Sequence, residues 1–387
     1  MDIREIKWAE VNLDHLIHNL KQIRQHVGEE IKIAAVVKAN GYGHGALEMA
    51  DVLLNNGADM LAVSSINEAV EIRKQNPKAQ TLVLGYTPSE NIEEAIKHGV
   101  IQTIYSYHQA IQYSKVAERI GMGISIHIKI DTGMNRIGFQ PNDEALKEII
   151  KIYQLPNVKI NGIFSHLACA DEADKTFSYQ QYELFLYFIE KLQENNIKIP
   201  IKHISNSAAI MDMPDMNMDM VRPGIILYGL YPSNEVKKDV LNLKPVMSFK
   251  TRISHVKTLS KDGGISYGLK YQGKKGQKIA TIPVGYADGY TRLLSNKGHA
   301  IVHGKKAPVV GTVCMDQCML DVSMIDDVKA GDEVLLFGGD NSHSITTEEV
   351  AECIGTINYE TICMVGRRVP RVYIKNGEIV KIKDYLK

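Results

Sequence analysis

Short apolar runs, each followed by a segment with apolar residues at three- and four-residue spacing, recur through the first 222 positions of the chain. The runs are Ile33–Val37, Met60–Val63, Thr81–Leu84, Thr103–Tyr105, Ile124–Ile130, Ile160–Ser165, Lys202–Ser205 and Met218–Arg222. Each has the length of a strand buried on both faces, the form strands take in a parallel sheet. Between them, Ala46, Leu47, Ala50, Leu53 and Leu54 share one helical face. So do Leu146, Ile149, Ile150 and Tyr153, and again Phe177, Phe185, Phe188, Ile189 and Leu192. Another amphipathic helix, carrying Leu13, Leu16, Ile17, Leu20 and Ile23, precedes the first run. Eight strands alternating with helices close a (β/α)8 barrel of the TIM type. An open doubly wound sheet is the rival, and the regular alternation favours closure.

After about Pro232 the period changes from helical to two. Met247, Phe249, Thr251, Ile253 and His255 alternate with Ser248, Lys250, Arg252 and Ser254, the pattern of a half-buried strand. Ala300–His303 and Ala307–Val310 flank Gly304-Lys305-Lys306 and predict a hairpin, and Asp332–Phe337 predicts a strand ended by Gly338-Gly339-Asp340. One helical patch follows at Thr347–Ile354. The expected fold is therefore α/β: a (β/α)8 barrel over 1–235, then a mainly antiparallel β domain over 236–387. A chain of 387 residues is long for a single core, which agrees with two domains.

Lys+Arg 45 balances Asp+Glu 45, so nucleic acid and anionic membrane are poor candidates for the main partner. The start, Met1-Asp2-Ile3-Arg4-Glu5, lacks the apolar stretch of a secretory signal, and no run approaches transmembrane length. Cys169, Cys314, Cys318, Cys353 and Cys363 are odd in number and lack paired metal-ligand spacing, so no metal is expected and a reducing cytoplasm fits.

Active sites of such barrels lie at the C-terminal ends of the strands. Those ends carry Lys38, then Lys129 and Asp131, then His166, then Asn206 and Ser207, and finally Arg222. Polar residues marking the strand-to-loop transition account for Asn206 and Asp131, but less well for His166 and Arg222 within apolar stretches. Lys38 leaves a rigid strand for the loop Asn40-Gly41-Tyr42-Gly43-His44-Gly45, the placement a Schiff-base lysine requires. The seventh and eighth loops of a barrel often hold a phosphate. Here Ser207 offers a hydroxyl and Gly224 a close backbone approach. A phosphate opposite an amine suits pyridoxal 5′-phosphate.

Across nearly its whole length the chain resembles the alanine racemase family. The resemblance rests on Val37-Lys38-Ala39-Asn40-Gly41-Tyr42-Gly43-His44-Gly45, on Lys129 through Gly138, on Asn206-Ser207-Ala208-Ala209 and on Val221-Arg222-Pro223-Gly224. It continues in Ser266-Tyr267-Gly268, Pro283 through Gly289, Gly311 through Asp316, Asn358-Tyr359-Glu360 and Arg368 through Arg371. Gly41 stands where the family commonly has alanine, and Asn12 replaces a frequent aspartate.

The resemblance implies a homodimeric isomerase that uses pyridoxal 5′-phosphate to convert L-alanine to D-alanine for cell-wall peptidoglycan. Lys38 would hold the cofactor and then work on one face of the substrate, with Tyr267 of the partner subunit on the other. His166 and Arg222 are expected to supply the positive charge or donors that a tyrosine needs near neutrality, its unperturbed pKa being ~10. Arg222 would also face the cofactor ring nitrogen. Tyr42, Asn206, Ser207, Gly224, Ile225 and Tyr359 would complete the cofactor site. Arg136 and the Met315 amide would hold the substrate carboxylate, Asp316 would support that loop, and Tyr286 and Arg292 would line the entrance. Lys129 matches a lysine that the family often carries as a carbamate.

Three rivals remain: a broader amino-acid racemase, a decarboxylase of the same architecture, and a cofactor carrier without turnover. Arg222 and the short Pro223-Gly224 argue against the decarboxylase, and the complete β domain with Tyr267 and Met315 against the carrier. The basic cluster Arg367, Arg368 and Arg371 is read as a solvated or carboxylate-paired face. His44 and His203 are read as structural.

Overall fold

The computed structural model describes residues 6–339 and 343–387. Met1–Glu5 and Asp340, which enter the sequence reading, lie outside the described residues. The chain divides into two compact units. One comprises residues 16–41 and 46–244; the other comprises residues 1–15, 42–45 and 245–387. Where the sequence suggests one cut near residue 235, the chain's first 15 residues and a four-residue loop group with its last third.

All eight predicted barrel strands are present. They are β2 (Lys32–Val36), β3 (Met60–Val63), β4 (Thr81–Val83), β5 (Ile101–Ile104), β6 (Ile124–Lys129), β7 (Val158–Phe164), β8 (Ile201–His203) and β9 (Met220–Val221), following β1 (Lys7–Asn12) elsewhere. Each pairs with the next in parallel from β2 to β8, and β2 also pairs in parallel with β9. Two bonds bridge the β8–β9 seam: Asp219 N to Lys202 O and Arg222 N to Ser205 O, both 3.1 Å. The inside is filled by a layer that includes Ala34, Met60, Leu82, Ile101 and Met220, all buried. The predicted helix before the first barrel strand is α1 (Leu13–Val27). Asn12 caps its start, accepting from His15 N at 3.0 Å, so the asparagine fills the capping role of an aspartate.

The second unit holds a seven-stranded sheet, ordered Lys305–Pro308, His299–Val302, Glu333–Phe337, Met247–Arg252, β1, Arg371–Lys375 and Glu378–Lys383. Smaller sheets pair His255–Thr258, Lys278–Ile282 and Cys318–Asp321, and Gly263–Ile265 with Tyr271–Gly273. The single strand expected through His255 is two. Ile253 N bonds to Asp332 O at 2.9 Å while Ser254 N bonds to Thr281 O at 2.8 Å, so the chain changes sheets between them. The predicted hairpin turns at His303-Gly304, where both residues have positive φ (47° and 73°), the two-residue geometry whose twist suits flanking strands. The predicted helix Thr347–Ile354 forms with a capping box between Thr346 and Glu349.

β1 was not legible locally because its partners are distant: Met247–Arg252 on one side and Arg371–Lys375 on the other. Trp8, 1% exposed, is the largest side chain that β1 contributes to the core. Trp8→Ala is expected to lower stability by about 3–5 kcal/mol in chemical denaturation.

Candidate active site

The barrel strands deliver their chemical residues to one end. Lys38 follows β2 by two residues, Lys129 ends β6, His166 follows β7 by two, Asn206 and Ser207 follow β8, and Arg222 directly follows β9. The backbone after Lys38 makes a left-handed turn: Ala39, Asn40 and Gly41 have φ near 53°, 53° and 61°. L-residues resist this conformation by roughly 1–2 kcal/mol each, so local bonds must sustain it. Ala39 N donates to Glu68 Oε1 at 2.6 Å, and Ala46 N to Asn40 Oδ1 at 3.0 Å. Glu68 is held in turn by Ser64 and Ser65. At Gly41 a Cβ would stand 2.3 Å from Met49 Cε, so the methionine methyl fills the space that a family alanine would use.

Arg222 is buried, 4% exposed. Its Nη2 donates to Ser165 O and Ile204 O, both at 2.9 Å, and faces His166 Nδ1 at 3.2 Å. Its Nη1 donates to His203 Nδ1 at 2.7 Å. An arginine only donates, so His203 Nδ1 must accept and its proton sits on Nε2. That proton points to His127 Nδ1 at 3.0 Å, which leaves the His127 proton on Nε2. Burial, then the Arg222 charge, pulls His127 down to about 3 and His203 well below the usual histidine range. Burial, then Arg136, takes Arg222 to about 9, still protonated at neutrality. The Phe164 ring stacks on His203 at 4.8 Å and lies 5.4 Å from the Arg222 guanidinium.

His166 is also held uncharged, by burial first and then by Arg222, Arg136, Lys129 and Lys38. Of the two residues expected to supply positive charge or donors for a tyrosine, Arg222 is the charged one near neutrality. Lys129, 2% exposed, donates to Ile130 O at 2.6 Å. Burial, against the pull of Asp131, lowers it to about 7. Asp131 is spent on backbone: it accepts from Gly133 N, Asn135 N and Arg136 N, each at 3.0 Å. That fixes the loop bearing Arg136. Gly138 lets it close, since a Cβ there would meet Asp131 N at 2.5 Å. At the seventh and eighth barrel loops, Gly224 N donates to Ser207 Oγ at 2.8 Å, leaving the serine proton to give, while Asn206 caps the helix Ser207–Asp212. Ile225 follows Gly224 in a buried turn.

The other unit holds the remaining candidates. The Tyr42 and Tyr359 rings lie 6.2 Å apart, and burial, then Cys363, raises the Tyr42 phenol. Tyr267 is 72% exposed and Met315 52%. Asp316 accepts from Arg368 Nη2 at 2.7 Å. Gly285 lies against the Cys314–Met315 backbone, where a Cβ would sit 2.2 Å from Cys314 O. Tyr286 and Arg292, beyond it, are exposed.

A family model described as alanine racemase, N-terminal domain, matches residues 11–232, and one for the C-terminal domain matches residues 246–373. The chain belongs to the alanine racemase family. The alanine racemase of Clostridium tetani is 52% identical over 380 residues, covering 98% of each chain. The alanine racemase structure from Clostridium difficile 630 superposes with a TM-score of 0.95 at 46% identity, covering 98% of this chain and 99% of that one. That of Bacillus anthracis with bound L-Ala-P gives 0.93 at 36%, covering 99% and 98%. The chain is thus an isomerase, an alanine racemase by family. Among the described residues no helix is long and apolar enough to cross a membrane.

His203 is structural, as expected, and links Arg222 to His127. Arg371, taken with Arg367 and Arg368 as a surface cluster, is 2% exposed and donates to the carbonyls of Gly43, Gly366, Val369 and Val365. It therefore ties down the loop after Tyr42. Arg368 is carboxylate-paired as expected, and Arg367 is exposed. His127 lies within the expected strand Ile124–Ile130, where nothing local marks it as a partner of His203.

The low Lys129 pKa has a measurable sign. Its ammonium keeps its proton to 10.5 ordinarily but only to about 7 in the fold. Between those values unfolding takes up a proton, so stability rises with pH from about 7 towards 10 and the contribution is flat below. In carbon-dioxide-free buffer, the wild type should gain stability over this range relative to Lys129→Met, measured by urea unfolding at each pH.

Proposed function

We propose that the chain interconverts L- and D-alanine with bound pyridoxal 5′-phosphate, with Lys38 and Tyr267 as proton carriers on opposite faces of the substrate. One observation carries the reading. Lys38, Lys129, Arg136 and Arg222 all bear on His166, while the neighbouring carboxylate, Asp131, is occupied by three backbone amides. Such a surplus of positive charge requires anions, and a cofactor phosphate and a substrate carboxylate are two. The Ser207 hydroxyl proton and the Gly224 turn suit the first.

Lys38 would hold the cofactor through its amine. Tyr42, Ser207, Gly224, Ile225 and Tyr359 would hold its phosphate, with Asn206, His166 and Arg222 beside it. When bound, the group supplies an electron sink that acidifies the substrate's α-hydrogen. Inverting the stereocentre then needs one residue to take the proton and another, opposite, to return one, since a single base would restore the starting enantiomer. The Lys38 amine would serve one face and the partner subunit's Tyr267 the other. Arg222 stays protonated and gives hydrogen bonds without giving up a proton, while neutral His166 orients it. Arg136 and the Met315 amide would fix the substrate carboxylate, and Asp316, through Arg368, would steady the Met315 loop. Tyr286 and Arg292 would restrict the entrance. With its pKa near neutrality, Lys129 is a nucleophile able to take up carbon dioxide, and the resulting carbamate would orient Arg136.

The exposure of Tyr267 and Met315 supports a homodimer with shared sites, and the proposed role is that of a cytoplasmic enzyme whose D-alanine feeds peptidoglycan synthesis. Lys38→Ala should abolish racemisation in both directions. Tyr267→Phe should slow proton removal from L-alanine most, by about 10²–10⁴-fold, followed by chiral separation. Normal turnover by Tyr267→Phe would rule out two carriers. Mixing refolded Lys38→Ala and Tyr267→Phe chains should recover part of the activity if sites are shared. A carbamate signal after incubation with 13C-bicarbonate, lost in Lys129→Met, tests the modified lysine.

A further inference from the structure

Two motifs of the second unit, Ser266-Tyr267-Gly268 and Gly311-Thr312-Val313-Cys314, have no task in this reaction beyond Tyr267 itself. Their backbones suggest one. Ser266 has φ 66° and ψ −174°, a region that is essentially glycine's alone. Gly268 and Leu269 follow with φ of 70° and 48°. Tyr267 thus sits in a strained loop, with a side chain too exposed for packing to hold it.

Two hydroxyls hold the loop instead. Ser266 Oγ donates to Thr312 O at 2.6 Å, and Thr312 Oγ1 donates back to Tyr267 O at 2.9 Å. The Cys314 sulfur lies 3.4 Å from Ser266 Oγ. The Thr312 side is itself anchored, with Gly311 N on Asn296 Oδ1 at 2.6 Å and Val313 N on Ser295 Oγ at 3.0 Å. Gly311 has to lack a side chain, because a Cβ there would stand 2.8 Å from Ile265 O and 2.9 Å from Ser266 Cβ. Ser266, Gly311 and Thr312 are thereby spent on bringing these backbones together.

We infer that Ser266 and Thr312 are positioning residues for Tyr267. Their reciprocal hydrogen bonds sustain the strained Ser266 backbone and so set the place from which the phenol moves its proton. The inference rests on Tyr267 being the second proton carrier. Displacing a reacting group by about 1 Å costs about 10²-fold in rate, which sets the size of the effect.

The test compares Ser266→Ala, Thr312→Val and Thr312→Ser in the holoenzyme, alone and combined with Tyr267→Phe. Racemisation from each enantiomer and exchange of the α-hydrogen with deuterated solvent are measured, and circular dichroism checks folding. Ser266→Ala and Thr312→Val should lower kcat from L-alanine about 10–100-fold, with exchange from D-alanine less affected, while Thr312→Ser keeps near wild-type rates. In the Tyr267→Phe background Ser266→Ala should cost nothing more, because both changes act on one group. Additive losses, or normal rates in folded Ser266→Ala and Thr312→Val, overturn the inference. If Ser266→Ala does not fold, the contrast between Thr312→Ser and Thr312→Val decides, equal losses overturning it. A fast Tyr267→Phe enzyme instead removes the second carrier, whereas a slow one beside a normal Ser266→Ala removes only the positioning role.

Discussion

The burial of one guanidinium governs the chemistry of the barrel. Arg222 cannot shed its charge at neutral pH, so the structure surrounds it with acceptors: two carbonyls, His203 and His166. Burial lowers the proton affinity of the basic groups nearby and the Arg222 charge adds to it, so three imidazoles stay neutral and Lys129 falls to about 7. A buried charge is tolerated when its hydrogen bonds are met. Here that requirement also fixes the tautomers of His203 and His127, neither of which reaches an open surface. Burial and one charge at the end of β9 together set the acid–base character of the cluster.

Much of this was legible in the sequence. Eight short apolar runs in regular alternation are enough for the barrel, since buried parallel strands lack the polar half of an alternating pattern. Placing Lys38, Lys129, His166 and Arg222 at strand ends needed only the boundaries of those runs. Ser207 and Gly224 came from the position of their loops in such a barrel. The rest was hidden for definite reasons. The roles of His203 and Arg371 depend on which hydrogen-bond partners surround them, and those come from residues 19 and 328 positions away. The charge on His166 depends on four neighbours from other strands. Tyr267 and Met315 were named through family resemblance, not through any local signal.

The two halves use the same device at their key side chains. A left-handed turn follows Lys38, and a glycine-like backbone precedes Tyr267. In both places hydrogen bonds from residues that take no part in the reaction hold an unfavourable conformation: Glu68 and Asn40 in one, Thr312 and Ser266's own hydroxyl in the other. Strain kept by surrounding structure is characteristic of functional loops, and it explains why the motifs are longer than their reactive residues.

The membership of β1 in the seven-stranded sheet has a consequence for biosynthesis. This strand is made before the barrel, yet one of its two neighbours, Arg371–Lys375, is made after it. A nascent polypeptide on the ribosome therefore cannot finish that sheet until Arg371–Lys375 has emerged. The barrel strands, whose neighbours are mostly successive, are free to assemble earlier. A fragment starting after the barrel would lack a central strand and expose two unpaired edges, the state most prone to aggregate.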